Sequence, residues 1–213
     1  MKKIISFSLY GDDQKYCHGM ICNIELAKII YPSWIVRVYY GDSVPSNIVE
    51  MMKKYDHVEL VNMKENGAYQ YMMWRFLPIS DEDVEVMLSR DADSRLSYRE
   101  KVAVDIFLES DYLLHSIRDE RNHADIMGGM WGMKKNDKIN MKELVESWDG
   151  PLTYHSDQDF LRKKVMPNFQ DSCLTHCSFY LKNYPQEPKN HFFVGQVFPS
   201  GNNDGLGYDY IYY

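Results

Sequence analysis

No stretch of this 213-residue sequence stays apolar over the roughly 20 residues that a bilayer-spanning helix requires. No membrane span is expected. The first residues, MKKIISFSLYG, turn polar too soon for a signal peptide and read better as a buried first strand. Basic runs are missing too. Acidic side chains outnumber basic ones, 31 to 24, for a net charge of −7. A nucleic-acid partner needs clustered Lys and Arg to neutralise phosphates, so none is expected. Cysteine is scarce: Cys17, Cys22, Cys173 and Cys177 make neither a paired Cys-x-x-Cys set nor a dense disulfide framework. Free thiols in a reducing cytosol are expected, hence a cytoplasmic location. Cys173, His176 and Cys177 could offer metal donors, but no second pair matches them. A buried or half-buried cysteine pair is the plainer reading. A glycine-rich phosphate loop is also lacking: after the first strand, SLYGDDQKYCHG holds only Gly11 and Gly19. That argues against a nucleotidylyltransferase.

What is present is the composition of an ordinary soluble domain, 45% hydrophobic and 26% charged. Aromatics are abundant, with 17 Tyr and 4 Trp. They suit a site that stacks bases or sugars, and equally an aromatic core. Apolar, β-favouring residues at 3–10 predict a strand. Helical spacing at 20–31 predicts a helix that stops at Pro32. Strands at 34–40, 57–61 and 84–89 alternate with helices at 45–55 and 69–77. This alternation predicts an α/β domain with a largely parallel sheet. A helix over 99–109 and a strand over 112–117 follow. Beyond about 125 the pattern loosens into a Gly-rich turn (GGMWGMKK), helices near 141–148 and 157–165, and a strand near 177–182. No repeat or linker interrupts the chain, so residues 1–213 read as one domain. The aromatic end leaves room for further fused enzyme domains.

The fourth predicted strand runs into Arg90-Asp91-Ala92-Asp93. Open α/β sheets bind ligands beyond the carboxyl ends of their strands, so this acidic pair stands where a site is expected. Two carboxylates near one point suit a hard divalent cation, Mg²⁺ or Mn²⁺, which keeps further positions for water or phosphate oxygens. An EF-hand is excluded because Leu96 occupies the position that needs glycine. Arg90, Arg95 and Arg99 crowd the segment; structural ion pairs for two of them, with phosphate contact by one, is the expectation.

Strand, Asp-x-Asp and helix, after an opening βα unit, resemble a glycosyltransferase of the GT-A fold. Tyr10 to Gly19 resembles the first loop of glycogenin-like and bacterial galactosyltransferase-like retaining enzymes, with Tyr16 matching the ring that stacks on uracil. Arg75 resembles the Arg or Lys that contacts the sugar-phosphate. Ile126 to Gly132 (IMGGMWG) resembles the loop and strand that contact the donor sugar. Ser156-Asp157-Gln158-Asp159 resembles the Asp-Gln-Asp segment that lines the reacting sugar. The run WRFLP…SRDADSRLSYRE…HSIRDERNH…GGMWG is similar to small glycosyltransferase domains, including ones encoded by large DNA viruses of algae. The likeness covers roughly residues 3–198. One departure stands out. The retaining group carries His-x-x-Gly-x-x-Lys-Pro-Trp near its end, whereas His191 here is separated from Gly195 by one residue more, and Lys-Pro-Trp is missing.

The resemblance implies a single GT-A, or nucleotide-diphospho-sugar transferase, domain: a central mixed, mostly parallel sheet flanked by helices. It implies transfer of a sugar from a nucleotide-diphosphate donor, most simply UDP-linked, to a glycan or glycoprotein acceptor. If the source is viral, this happens in the host cytoplasm. Retention at the anomeric carbon is favoured. The implied metal ligands are Asp91, Asp93 and His191. Leu9, Tyr10, Gly11, Tyr16, Arg75, Ala92, Gly128 and Gly129 join the aspartates around the donor. Asp157, Gln158 and Arg75 are the implied catalytic residues. Trp131 would stack a sugar or pack in the core; Asp119, His123 and Asp125 would contact substrate or form a solvated loop. The alternatives are a non-catalytic nucleotide-sugar or carbohydrate-binding module and a sugar nucleotidylyltransferase.

Overall fold

The computed structural model describes residues 1–65, 69–187 and 192–200. Strand β1 (Lys2–Leu9) alternates by side: Ile5, Phe7 and Leu9 join one apolar cluster, while Ile4 joins another. A strand buried on both faces in this way belongs inside a two-sided layer. Helix α1 (Gln14–Ile30) crosses back to parallel strand β2 (Ile35–Tyr40). Helix α2 (Ser46–Met52) leads to β3 (Val58–Asn62), parallel to β2. A 3₁₀ segment (Tyr69–Ser80) then precedes β4 (Val84–Arg90), which pairs parallel with β1 on its other side. Helix α3 (Tyr98–Glu109), β5 (Leu114–Arg118), β6 (Met130–Lys134), α4 (Met141–Glu146), α5 (Ser156–Phe160) and β7 (Cys173–Cys177) complete the order.

The seven strands form one mixed, mostly parallel sheet in the order β3-β2-β1-β4-β6-β5-β7. Strand β6 runs antiparallel to both β4 and β5. Strand order reverses between β1 and β4, creating a switch point whose crevice opens beyond Leu9 and Arg90. The register Arg90↔Met130 carries Gly128 and Gly129 to that same end. The two apolar clusters cover the sheet's two faces; α1 and α3 contribute to one, the 3₁₀ segment and α5 to the other. Full burial of aromatics such as Phe7, Phe76 and Phe160 contributes about 1.5–3 kcal/mol each. Among the described residues, no helix is long and apolar enough to cross a membrane.

Several predicted elements move. Helix α1 starts at Gln14 instead of residue 20 because Asp13 caps it, accepting the Lys15 N–H at 2.8 Å. The stretch 69–77 adopts 3₁₀ rather than α geometry, within a segment that runs on through Pro78 to Ser80. The Gly-rich turn contains a strand, β6. The last strand ends at Cys177, where 177–182 was expected; Phe179, Tyr180 and Leu181 lie exposed after it. All four cysteines are free.

His176 on β7 serves the core. Its Nδ1 lies 2.8 Å from His115 Nε2, and the His115 ring stacks on Phe107. Burial pushes both imidazoles below the usual 6.5. The unfolded chain therefore takes up protons first as pH falls through about 6.5, and stability is lost from there toward the folded pKa values. The steepest loss is about 1.4 kcal/mol per pH unit for each histidine. Urea midpoints at pH 7.5 and 5.5 should show this decline, with a smaller decline in His115→Leu. An unchanged pH slope in that variant would reject the assignment.

Candidate active site

The switch-point crevice is a cleft of about 760 Å³. The end of β1 supplies Ser8, Leu9 and Tyr10; α1 supplies Tyr16; the 3₁₀ segment supplies Arg75. The turn after β4 supplies Asp91, Ala92 and Asp93, and Gly128 precedes β6. Asp157 and Gln158 come from the first turn of α5. His123, Phe193, Gly195 and Gln196 complete another part of the wall.

Arg75 is the centre of the cleft's electrostatics. Its main-chain N–H donates to Ser8 Oγ at 3.1 Å, which fixes its root against β1. One guanidinium nitrogen pairs with Asp91, and the other reaches Asp157 at 2.7 Å. Burial works against its charge, but the two carboxylates outweigh that and hold it protonated. Gly128 and Gly129 make this cluster possible. A Cβ on Gly128 would fall 1.8 Å from Asp157 Oδ2, and one on Gly129 would fall 1.9 Å from Asp91 Oδ2. Any larger residue would have to displace a carboxylate.

Asp93 has a different cation. Lys15 Nζ lies 3.1 Å from Asp93 Oδ2 and 4.2 Å from the Tyr16 ring centroid. Burial, and next the charge of Asp91, raise the Asp93 pKa. Burial opposes the Lys15 charge, yet Tyr16 and Asp93 hold the ammonium above its ordinary pKa. Tyr10 is pushed up to about 12, chiefly by burial, so its phenol stays neutral and available as a donor. The turn carrying the aspartates is anchored from α1: Asn23 Nδ2 donates to Ser94 O at 2.8 Å, and the Leu96 N–H donates to Asn23 Oδ1 at 3.1 Å.

The expected site residues thus largely meet in one cleft: Leu9, Tyr10, Tyr16, Arg75, Asp91, Ala92, Asp93, Gly128, Asp157 and Gln158 line it. Gly11 and Gly129 do not. Gly11 donates its N–H to Ser43 Oγ at 2.8 Å, and Gly129 packs behind Asp91. His191 lies outside the described residues. Trp131 is fully buried against Phe76, so it is a core residue and not a stacking platform. Asp119 is buried with Arg99 and accepts the Val194 N–H at 2.8 Å; Asp125 pairs with Arg118. Arg90 pairs with Glu100 in the interior, so two of the three crowded arginines make buried ion pairs. Arg95 is buried over the Phe198 ring.

Lys15 and Asn23 went unnoticed in the sequence. Lys15 lies in a polar stretch that carries no periodic signal, where only the cap at Asp13 marks the helix start; Asn23 lies inside the predicted helix, but its contacts with Ser94 and Leu96 are over 70 residues away in sequence.

A divalent cation finds oxygen donors here, though already engaged ones. Among the described residues no group of three or more His, Cys, Asp or Glu gathers to hold an ion. Asp91 and Asp93 still fit the need, because Mg²⁺-like ions use one or two carboxylates and fill the rest with water and phosphate oxygens. Burial first and the Asp91 charge second disfavour an ionised Asp93, and a cation would relieve the repulsion between the two. The Lys15 ammonium already stands as a cation at Asp93.

No protein-family model matches the chain, and no curated protein matches it. Solved structures do. A glycosyltransferase involved in glycosylation of the major capsid of PBCV-1 superposes with a TM-score of 0.58 at 17% identity, over 92% of each chain. The mannosyltransferase PcManGT from Pyrobaculum calidifontis, in complex with GDP-Man and Mn²⁺, gives 0.54 at 16% identity, over 83% of this chain and 54% of that one. A cytidylyltransferase from Leptospira borgpetersenii gives 0.51 at 13% identity, over 92% of this chain and 81% of that one. Two chemistries share this architecture, so the fold alone does not choose between them.

Proposed function

We propose that this chain, which has the fold of GT-A glycosyltransferases, moves a sugar from a nucleotide-diphosphate donor, most simply UDP-linked, to a glycan acceptor. The Arg75 bridge between Asp91 and Asp157 carries the reading. It ties the acidic turn at the β4 end to Asp157, the carboxylate assigned here to the reacting sugar, across a cleft sized for a small ligand. A nucleotidylyltransferase would need a loop that wraps a triphosphate, and the β1 end, with Gly11 held to Ser43, is not glycine-rich.

Tyr10 and Tyr16 are assigned to the base. Asp91 and Asp93 would hold Mn²⁺ or Mg²⁺, which when bound supplies positive charge to the departing diphosphate. Arg75 keeps Asp91 and Asp157 oriented and adds fixed positive charge near the leaving phosphate. In the reaction the anomeric carbon–phosphate oxygen bond breaks, the nucleoside diphosphate leaves, and an acceptor hydroxyl oxygen bonds the carbon while its proton passes to the departing diphosphate. Asp157 orients the reacting sugar, with Gln158 beside it. Asp157 is already engaged by the Arg75 guanidinium, and the cleft's other carboxylates among the described residues, Asp91 and Asp93, are assigned to the cation. That supports retention over inversion, which needs a positioned base.

The Lys15–Asp93 pair favours a second reading, in which Lys15 itself supplies the cation and no metal is needed. Calorimetric titration of UDP with and without Mn²⁺, on wild type and Lys15→Met, separates the two. The metal-dependent reading expects manganese to strengthen UDP binding, with Lys15→Met binding manganese about tenfold tighter once the competing ammonium is gone. UDP binding that ignores manganese and collapses in Lys15→Met would establish the second reading. In the same preparation, proton NMR of the transfer product should show a retained anomeric configuration; inversion would point to His123 as base.

A further inference from the structure

Two exposed tyrosines at the cleft have no part in the donor reading. Tyr69 is 50% exposed and Tyr154 is 67% exposed, although large rings usually hide more of their surface. They come from distant parts of the chain, the start of the 3₁₀ segment and the loop before α5. Their rings nevertheless meet edge to face, with centroids 6.4 Å apart. The Tyr154 ring also packs on His155, at 4.2 Å. All three residues line the cleft, together with Gln158.

His155 carries the second observation. Its φ is +77°, the left-handed region that a side-chain-bearing residue rarely occupies. The neighbouring backbone is pinned: Ser156 Oγ donates to Pro151 O and accepts the Thr153 N–H at 2.6 Å. The His155 Nδ1 lies 3.1 Å from Gln158 Nε2. This backbone turns the His155 ring and Tyr154 toward the cleft immediately before Asp157.

We propose that Tyr69, Tyr154, His155 and Gln158 form the acceptor subsite, and that its ligand is a pyranose ring of a glycan. The inference rests on the donor reading, because it needs the reacting sugar at Asp157. The chemistry is that of a carbohydrate. A pyranose has an apolar face of C–H groups and a polar rim of hydroxyls. Two solvent-exposed aromatic rings bury the first. The imidazole and carboxamide at their edge satisfy the second. A peptide acceptor would call for backbone pairing or a charged clamp, and the charged side chains lining the cleft are already bound to one another. The cleft has a Lys15–Tyr16–Asp93 side and a Tyr154–His155–Asp157 side, linked through Asp91 and Arg75. Donor base and acceptor ring therefore have separate aromatic contacts.

Saturation-transfer NMR with a panel of methyl glycosides of common hexoses and pentoses tests the assignment, run with UDP and Mn²⁺ present. Wild type should transfer saturation to the ring C–H protons of at least one glycoside. Tyr69→Ala/Tyr154→Ala should weaken that binding about tenfold, the scale of a lost aromatic contact. Tyr154→Phe should keep it, as should Leu152→Ala, which removes exposed apolar surface outside the cleft. Equal signals in wild type and the double alanine variant, or no signal from any glycoside with wild type, would overturn the proposal. UDP titrated into the same proteins keeps the two readings apart. UDP binding with no loss of glycoside signal in Tyr69→Ala/Tyr154→Ala rejects the subsite alone; that loss without UDP binding rejects the nucleotide reading.

Discussion

Replacing Asp91 and Asp93 together by Asn is expected to abolish manganese-coupled UDP binding and to lower sugar transfer by about 10³-fold or more, with the fold intact. The magnitude follows from the chemistry. Loss of one preorganised electrostatic contact to a developing oxyanion typically costs about 10²–10³ in rate, and here both carboxylates that would hold the cation are neutralised. The substitutions keep side-chain volume, so packing against Gly129 is preserved. Stability should hardly fall. Asp93 is a buried carboxylate whose pKa is raised by burial and by Asp91, so its charge costs the fold free energy at neutral pH. Arg75 keeps Asp157 as a partner. Transfer assays and thermal melts on the same preparation check both halves. Full activity in the double variant, or in excess chelator, would contradict the assignment.

Arg75→Met is expected to produce the largest loss of stability. The Asp157 side chain is only 7% exposed, and Arg75 is its sole ion-pair partner among the described residues. Removing one member of a buried pair costs about 3–5 kcal/mol because the other charge is left uncompensated. For a chain of this size that lowers the melting temperature by roughly 6–20 °C. Asp91 contributes little to this loss, being 39% exposed and able to find water. The double variant Arg75→Met/Asp157→Asn should recover most of the stability, since no buried charge remains, while transfer stays lost. A single variant that melts within 2 °C of wild type would show that the bridge does not hold this end of the sheet (about 1 kcal/mol at most).

The parts of the fold legible in the sequence are those governed by local periodicity. Ile4, Ile5, Phe7 and Leu9 announce β1, and the same logic finds β2, β3 and β4 within a residue or two. Strand β6 was hidden because Met-Trp-Gly-Met carries no alternation; it is a strand because β4 and β5 pair with it on both sides. The true start of α1 lay inside GDDQK, where a cap and not an apolar stripe marks the boundary. Strand β7 was misplaced because Phe179, Tyr180 and Leu181 look buried by composition and are exposed.

The cleft divides in the same way. Asp91 and Asp93 stand at the end of β4, where the α/β layout puts ligands, so position singled them out, whereas Asp157 was matched only by resemblance. Their cations did not follow from position. That Arg75 spans two of them, and that Lys15 claims the third, depends on contacts 16, 82 and 78 residues apart in sequence (93 − 15 = 78 for the last). Gly128 and Gly129 were matched to the donor sugar by resemblance. Their physical role is to leave space for carboxylate oxygens. Tyr69 and Tyr154 gave no sign, because an exposed tyrosine in a loop looks the same whether or not a second ring stands beside it.

A crystal grown with UDP and Mn²⁺ tests the central claim most directly. The account predicts an anomalous manganese peak within about 2.3 Å of oxygens from Asp91 and Asp93 and of both phosphates, with Lys15 displaced from Asp93. A nucleotide bound with no such peak, while the Lys15–Asp93 pair persists, would contradict it.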